Sequence, residues 1–313
     1  MTLGWRVVAV LIPLVLASGF VDFRIRQFPE HPYTVHIPSV VDGTSEAPGT
    51  YRLLVPFANT WLSKLTGAGP ELVWHLTRLA WFFGAYLSVY VYLQVWVSAE
   101  AALAGVSGVA ATLPLLHTNS WAHPDSIPEL ALFTLGCLAV VRKHDAWFAV
   151  VLVLASLNRE TAAFLVGVYV LARPMTSGHI GRCLLFAAVC LGILIGVRLW
   201  RGFEHYDYWQ LDRNLTFLGL LPAGYDLYKR FYAWFIVALA APVMAVIVAG
   251  WARVPSDARR LVFSAAPLAV TGLLISSIIE PRIFLPFFPM LLPALMCVLV
   301  QPKRSDEEYS FDH

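Results

Sequence analysis

A polar tetrad, Asn158-Arg159-Glu160-Thr161, interrupts an apolar stretch, with uncharged runs at 146–157 and 162–172 on its two sides. Neither run crosses a bilayer alone, since a spanning helix needs about 20 apolar residues. The charged pair does not belong in hydrocarbon either, because ionisable groups at membrane depth face a protein interior or a watery cavity. Arg142, Lys143 and His144 precede the unit, and Arg173, His179 and Arg182 follow it. Basic residues at the ends of short loops favour the cytoplasmic side. The unit therefore enters and returns, as two short helices or a re-entrant hairpin with the tetrad at its far tip. The plainer alternative is an Arg159–Glu160 pair that only caps the turn.

The rest of the chain follows the same pattern. Further apolar runs lie at 3–21, 72–97, 101–116, 127–141, 183–199, 231–251, 261–279 and 283–300, and mean hydropathy is +0.67 with 13% charged residues. The expectation is an all-α polytopic transmembrane helical bundle of about ten membrane segments, counting the halves of the short central hairpin separately. It forms one membrane domain over 1–300, with outer loops at 22–70 and 201–230 and a cytoplasmic tail at 301–313. Both termini are assigned to the cytoplasm. The first run reads as an uncleaved anchor, because Ala17-Ser18-Gly19 only weakly imitates a signal-peptidase site. A net charge of +2 from scattered basic residues gives nucleic acid no surface. Cys137, Cys183, Cys190 and Cys297 lie in or beside apolar runs without metal-ligand spacing and read as small core residues.

Polar residues then mark where chemistry would sit. Residues 57–65 suit a short amphipathic helix along the interface. Glu71, His75 and Arg78 share one helical face, which is expected to look inward. The expected topology brings Asp22, Asp42, Glu46, Arg52, His123, Asp125, Asn158, Arg159, Glu160, Arg201, Asp207, Asp212, Glu280 and Arg282 to one membrane face; a cavity opening outward is the economical explanation, and sorting by depth alone is the other. There, paired arginine donors hold phosphate oxygens and a carboxylate takes a proton from an attacking hydroxyl. His31, His36, His117 and His123 match no metal-ligand spacing. Asn214-Leu215-Thr216 has the form of a glycan acceptor. Phosphate-binding loops, dinucleotide fingerprints and zinc-protease or nucleophile-elbow motifs do not occur.

Tyr51-Arg52-Leu53-Leu54-Val55-Pro56, His123-Pro124-Asp125, Leu157-Asn158-Arg159-Glu160-Thr161 and Glu280-Pro281-Arg282-Ile283-Phe284 resemble recurring stretches of bacterial membrane proteins related to the GT-C superfamily of integral-membrane glycosyltransferases. The resemblance extends over most of the chain. It implies a GT-C-like fold in a bacterial inner membrane and inverting transfer of a hexosyl or pentosyl group from a polyprenyl-phosphate sugar to a glycan, lipid or protein acceptor on the extracytoplasmic face.

By that resemblance Asp22, Asp42 or Glu46 in the first outer loop is the catalytic base. Arg52, His123, Asp125, Asn158, Arg159, Glu160, Glu280 and Arg282 bind substrate, with Arg52, Arg159 and Arg282 on phosphate and Glu160 orienting Arg159. A divalent cation is the one cofactor left open, with no metal ligands assigned. The loop lacks the family's usual Asp-Glu, Asp-x-Asp or His-Glu-Asp strings, and no sizeable soluble C-terminal domain is evident. Two other readings stand beside this one: a transporter or flippase for a lipid-linked or anionic substrate, and a non-catalytic membrane subunit.

Overall fold

A computed structural model describes residues 3–27, 36–116, 124–173, 175–204, 209–220, 227–275, 280–300 and 302; the side chains of 3–6, 22–27, 227–230, 232 and 281 are not described. Among the described residues the chain is all helical. The elements are α1 (Leu3–Gln27), α2 (His36–Asp42), α3 (Leu54–Thr66), α4 (Pro70–Leu93), α5 (Ala99–Leu116), α6 (Ser126–Val141), α7 (Asp145–Asn158), α8 (Ala163–Ala172), α9 (Ser177–Arg201), α10 (Leu211–Phe217), α11 (Leu227–Ala249), α12 (Ser256–Ile275) and α13 (Phe288–Leu299), with short 3₁₀ turns between some of them.

Each of the ten apolar runs forms a helix. Among the described residues, five segments are long and apolar enough to cross a membrane: Pro70–Leu93, Ala99–Leu116, Ser177–Arg201, Ser256–Ile275 and Arg282–Leu299. Val7–Val21 in α1, Ala233–Ala249 in α11, α6, α7 and the Glu160–Ala172 segment are shorter apolar stretches, and α6 shows why a short one suffices. Nearly all of it is buried, Ile127, Leu130, Phe133 and Cys137 included, so α4, α7, α8 and α13 surround it where lipid would otherwise be. A helix apolar on every side belongs inside a bundle. On the outside, α9 exposes Leu184, Leu185, Leu191, Ile195 and Leu199, an apolar surface that suits lipid contact.

The central unit folds back on itself as a hairpin. Asp145, at the start of α7, accepts hydrogen bonds from Tyr169 and Arg173 near the end of α8 and from Arg182 in α9. Phe148, Tyr169 and Phe186 stack between the same three helices, with centroids 4.8–5.0 Å apart. The two halves thus close at one end, and the tetrad occupies the other. There the backbone leaves the helix: Arg159 is extended (φ −163°, ψ 150°) and Glu160–Ala162 form a 3₁₀ turn. A helix end leaves carbonyls without intrahelical donors, and here the backbone N–H of Leu53 reaches Leu157 O at 2.9 Å.

That bond belongs to a departure from the sequence reading. The 22–70 stretch is largely folded. Helix α1 continues to Gln27. Val40, Tyr51 and Leu53 then pack on Val197 of α9 and against Leu157, lying over the hairpin tip. The expected amphipathic helix forms as α3, exposing Trp61 and Leu65 and ending at Gly67, whose φ of 70° suits glycine at a helix C-terminus.

The inward-facing stripe on α4 holds only in part. Arg78 lies over Trp74 and Phe82, and His75 is largely covered, whereas Glu71 is 62% exposed. Glu71 sits in the first turn, where a carboxylate is favoured by the helix dipole and needs no buried partner.

Candidate functional site

Five segments distant in sequence meet at the hairpin tip. Arg159 is buried; its Nε lies 3.2 Å from Asp125 Oδ2, and its Nη1 donates to Glu129 Oε2. Thr161 Oγ1 donates to the other Glu129 oxygen. Asn158 Nδ2 donates to the Asp125 carbonyl at 2.9 Å. Three tetrad side chains are therefore held by the first turn of α6, where Asp125 and Glu129 are one helical turn apart. Both carboxylates are almost wholly enclosed, at 4% and 1% side-chain exposure, and buried charge is tolerated when it is paired and hydrogen-bonded in this way.

Glu160 turns elsewhere. In extended backbone consecutive side chains point to opposite sides, and Glu160 lies 3.8 Å from Arg52 Nε and 3.6 Å from Arg198 Nη2. The expected pairing of Glu160 with Arg159 is thus replaced by two separate sets, Arg159 with Asp125 and Glu129, and Glu160 with Arg52 and Arg198. Arg52 joins the sets, since its Nη1 donates to Asp125 Oδ2 at 3.1 Å. Arg198 also lies 4.7 Å above the Tyr51 ring. The Tyr51 hydroxyl donates to Gly202 O at 3.0 Å and accepts from Glu204 N–H at 2.9 Å.

Arg282 completes the cluster. It binds Glu280 Oε2 through Nη2 at 2.7 Å and lies close enough to Arg159, Asp125 and Arg52 to feel their charges. Among the described residues, four buried polar atoms of this cluster have no hydrogen-bond partner: the donors Arg52 Nε and Arg282 Nη1 and the acceptors Asn158 Oδ1 and Glu160 Oε1. Glu160 keeps 27% of its side chain exposed, against the few per cent of Asp125 and Glu129. His36, in α2, also feels Asp125 and Arg52; burial chiefly, with Arg52, pulls its pKa below the ordinary 6.5 against the opposing pull of Asp125. Beside the cluster lies a small cleft lined by Trp74, Arg78, Trp81, Phe82, Pro124 and Ile127.

The structure thus brings together Arg52, Asp125, Asn158, Arg159, Glu160 and Arg282, with Glu280 at the rim. Asp42 and Glu46 are exposed, and among the described residues no ion pair or side-chain hydrogen bond joins them to the cluster. His123 and Asp207, and the side chain of Asp22, lie outside the described residues. Glu129, Thr161, Tyr51 and His36 went unassigned in the sequence, although Glu129 carried a signal as a lone carboxylate in an apolar run one turn after Asp125. The Asn214 glycan-acceptor reading fails on burial: Asn214 is fully enclosed in α10 and its amide is spent on Leu273 O at 2.7 Å. Among the described residues no three His, Cys, Asp or Glu side chains are grouped to hold a metal ion.

Comparison with protein-family models, with curated protein sequences and with solved structures returned no match.

Proposed function

We propose that this protein is a GT-C-like membrane glycosyltransferase that moves a sugar from a polyprenyl-phosphate donor to an acceptor on the extracytoplasmic face. The observation that carries the reading is a set of buried polar atoms without a hydrogen bond among the described residues: two guanidinium donors, Arg52 Nε and Arg282 Nη1, and two acceptors, Asn158 Oδ1 and Glu160 Oε1. A phosphorylated sugar needs both kinds, donors for phosphate oxygens and acceptors for hydroxyls.

In this reading Arg52 and Arg282 hold the phosphate. Arg159, whose Nε and Nη1 face Asp125 and Glu129, positions Asp125 instead of touching substrate. The acceptor hydroxyl attacks the anomeric carbon on the face opposite the phosphate. Its new C–O bond forms as the bond to the phosphate oxygen breaks, polyprenyl phosphate leaves, and a carboxylate takes the hydroxyl proton. Within the cluster Glu160 is the accessible carboxylate; Asp22, Asp42 and Glu46 are the loop alternatives.

The test is transfer of label from a panel of polyprenyl-phosphate sugars by purified protein in lipid. Arg282→Ala or Arg52→Ala should lower turnover by roughly 100-fold or more, the usual cost of removing a donor to developing negative charge. Glu160→Gln, Asp22→Asn, Asp42→Asn and Glu46→Gln should identify the base as the one carboxylate whose loss abolishes transfer. A folded protein that binds donor but never transfers it would move the assignment to a transporter of lipid-linked substrates, which the broken hairpin also suits.

A further inference from the structure

The closed end of the hairpin carries a basic face that the site does not use. Arg142 and Lys143 occupy the turn between α6 and α7; both are exposed, and neither meets a carboxylate among the described residues. Lys143 has a φ of 58°, so the turn itself is left-handed there and presents consecutive basic side chains outward. Arg182 is 53% exposed beside them. Arg260 reaches Ala172 O at 3.3 Å, and Arg253 reaches Val298 O at 3.3 Å, which continues the basic surface past the ends of α8 and α13. The carboxylates that meet these groups are Asp145, already shared by Arg173 and Arg182, and Asp257, 3.8 Å from Arg260.

The position of this face matters as much as its sign. It lies where the apolar helices α6, α7, α8, α9 and α12 begin or end. Trp147, 52% exposed, stands in the first turn of α7, and Trp251 lies beneath the Arg259 guanidinium at 5.5 Å. Indole rings with basic side chains at the ends of apolar helices belong at headgroup level.

We propose that this face binds the phosphate groups of anionic phospholipids, with Arg142, Lys143 and Arg182 as the principal contacts. Each basic side chain near an anionic membrane surface strengthens binding by about fivefold. The inference is independent of the transferase reading, since it uses none of the same residues.

The experiment uses the full chain, purified in neutral detergent and offered equal phosphatidylglycerol and phosphatidylcholine, with retained lipid read by native mass spectrometry. Wild type should retain phosphatidylglycerol preferentially. The double variant Arg142→Gln/Lys143→Asn should weaken that retention on the order of 30-fold and leave phosphatidylcholine unchanged. Asparagine is chosen at 143 because it tolerates the left-handed backbone. Lys64→Gln, on exposed α3 near the opposite end, should change nothing, and unfolding temperature checks that each variant is folded. Equal retention of the two lipids by wild type, or an undiminished preference in the folded double variant, overturns the proposal. So does a preference that emerges only after deletion of 303–313, which would make the acidic tail the occupant.

Discussion

Replacing Arg159 by methionine should destabilise the protein by about 3–5 kcal/mol, the cost of removing one member of a buried ion pair. The structure says where that cost falls. Asp125 keeps Arg52 at 3.1 Å, but Glu129, at 1% exposure, is left with Thr161 as its remaining side-chain donor. Glu129→Leu alone should cost about 3 kcal/mol, since it strips Arg159 of one of its two carboxylates in the same enclosed space. The double variant Arg159→Met/Glu129→Leu replaces charge by apolar volume on both sides. It should return to within about 1 kcal/mol of wild type, because apolar replacement of a whole buried pair is often neutral or stabilising. The cycle is thus non-additive by roughly 3 kcal/mol or more, well beyond the scatter expected of independent sites. Reversible unfolding in mixed micelles measures all four corners. If Arg159→Met costs less than about 1 kcal/mol, or if the single effects simply add, the tip is not organised by this pair.

Other expectations follow from single sites. The depressed pKa of His36 means that the unfolded chain binds a proton more readily than the folded one. Its contribution is therefore fully present above about pH 6.5 and is lost as pH falls toward the folded pKa; unfolding temperatures at about pH 5 and pH 8 should differ less in His36→Gln than in wild type. Asn214→Ala should cost on the order of 1–3 kcal/mol by leaving the Leu273 carbonyl without its side-chain donor, and expression in a glycosylating host should give no glycosidase-sensitive mobility shift. Gly250→Ala should destabilise by about 1–3 kcal/mol, since a new Cβ would stand 2.2 Å from Val298 Cγ1, on a stiff β-branched side chain. Gly196→Ala, in the middle of α9 with nothing within 4 Å of a new Cβ, should instead stabilise by about 0.5–1 kcal/mol; thermal unfolding of the two variants side by side checks both signs.

Hydrophobic runs and their interruptions were enough to foresee the helices. Ten runs became ten helices, and the two basic flanks of the 146–172 unit correctly placed its ends together, because run length and end charge act on each segment locally. The polar breaks also nominated Arg52, Asp125, Asn158, Arg159, Glu160 and Arg282, since charge in an apolar chain is costly wherever the chain folds. What local pattern could not carry was partnership. Arg52 meets Asp125 across 73 residues, and Arg159 meets Glu129 across 30. Whether Arg159 turned to its neighbour Glu160 or away from it hung on one extended residue at the hairpin tip. Burial was equally non-local: Asp42 and Glu46 have the right chemistry for the site but remain on the surface, while Asn214, in a loop that reads as exposed, is enclosed by the end of α12. Segment-by-segment energetics fix which residues form helices and where charge must find shelter. Only the packing of α6 into the centre of the bundle decides which charges share that shelter, because each pairing depends on surfaces that distant segments bury together.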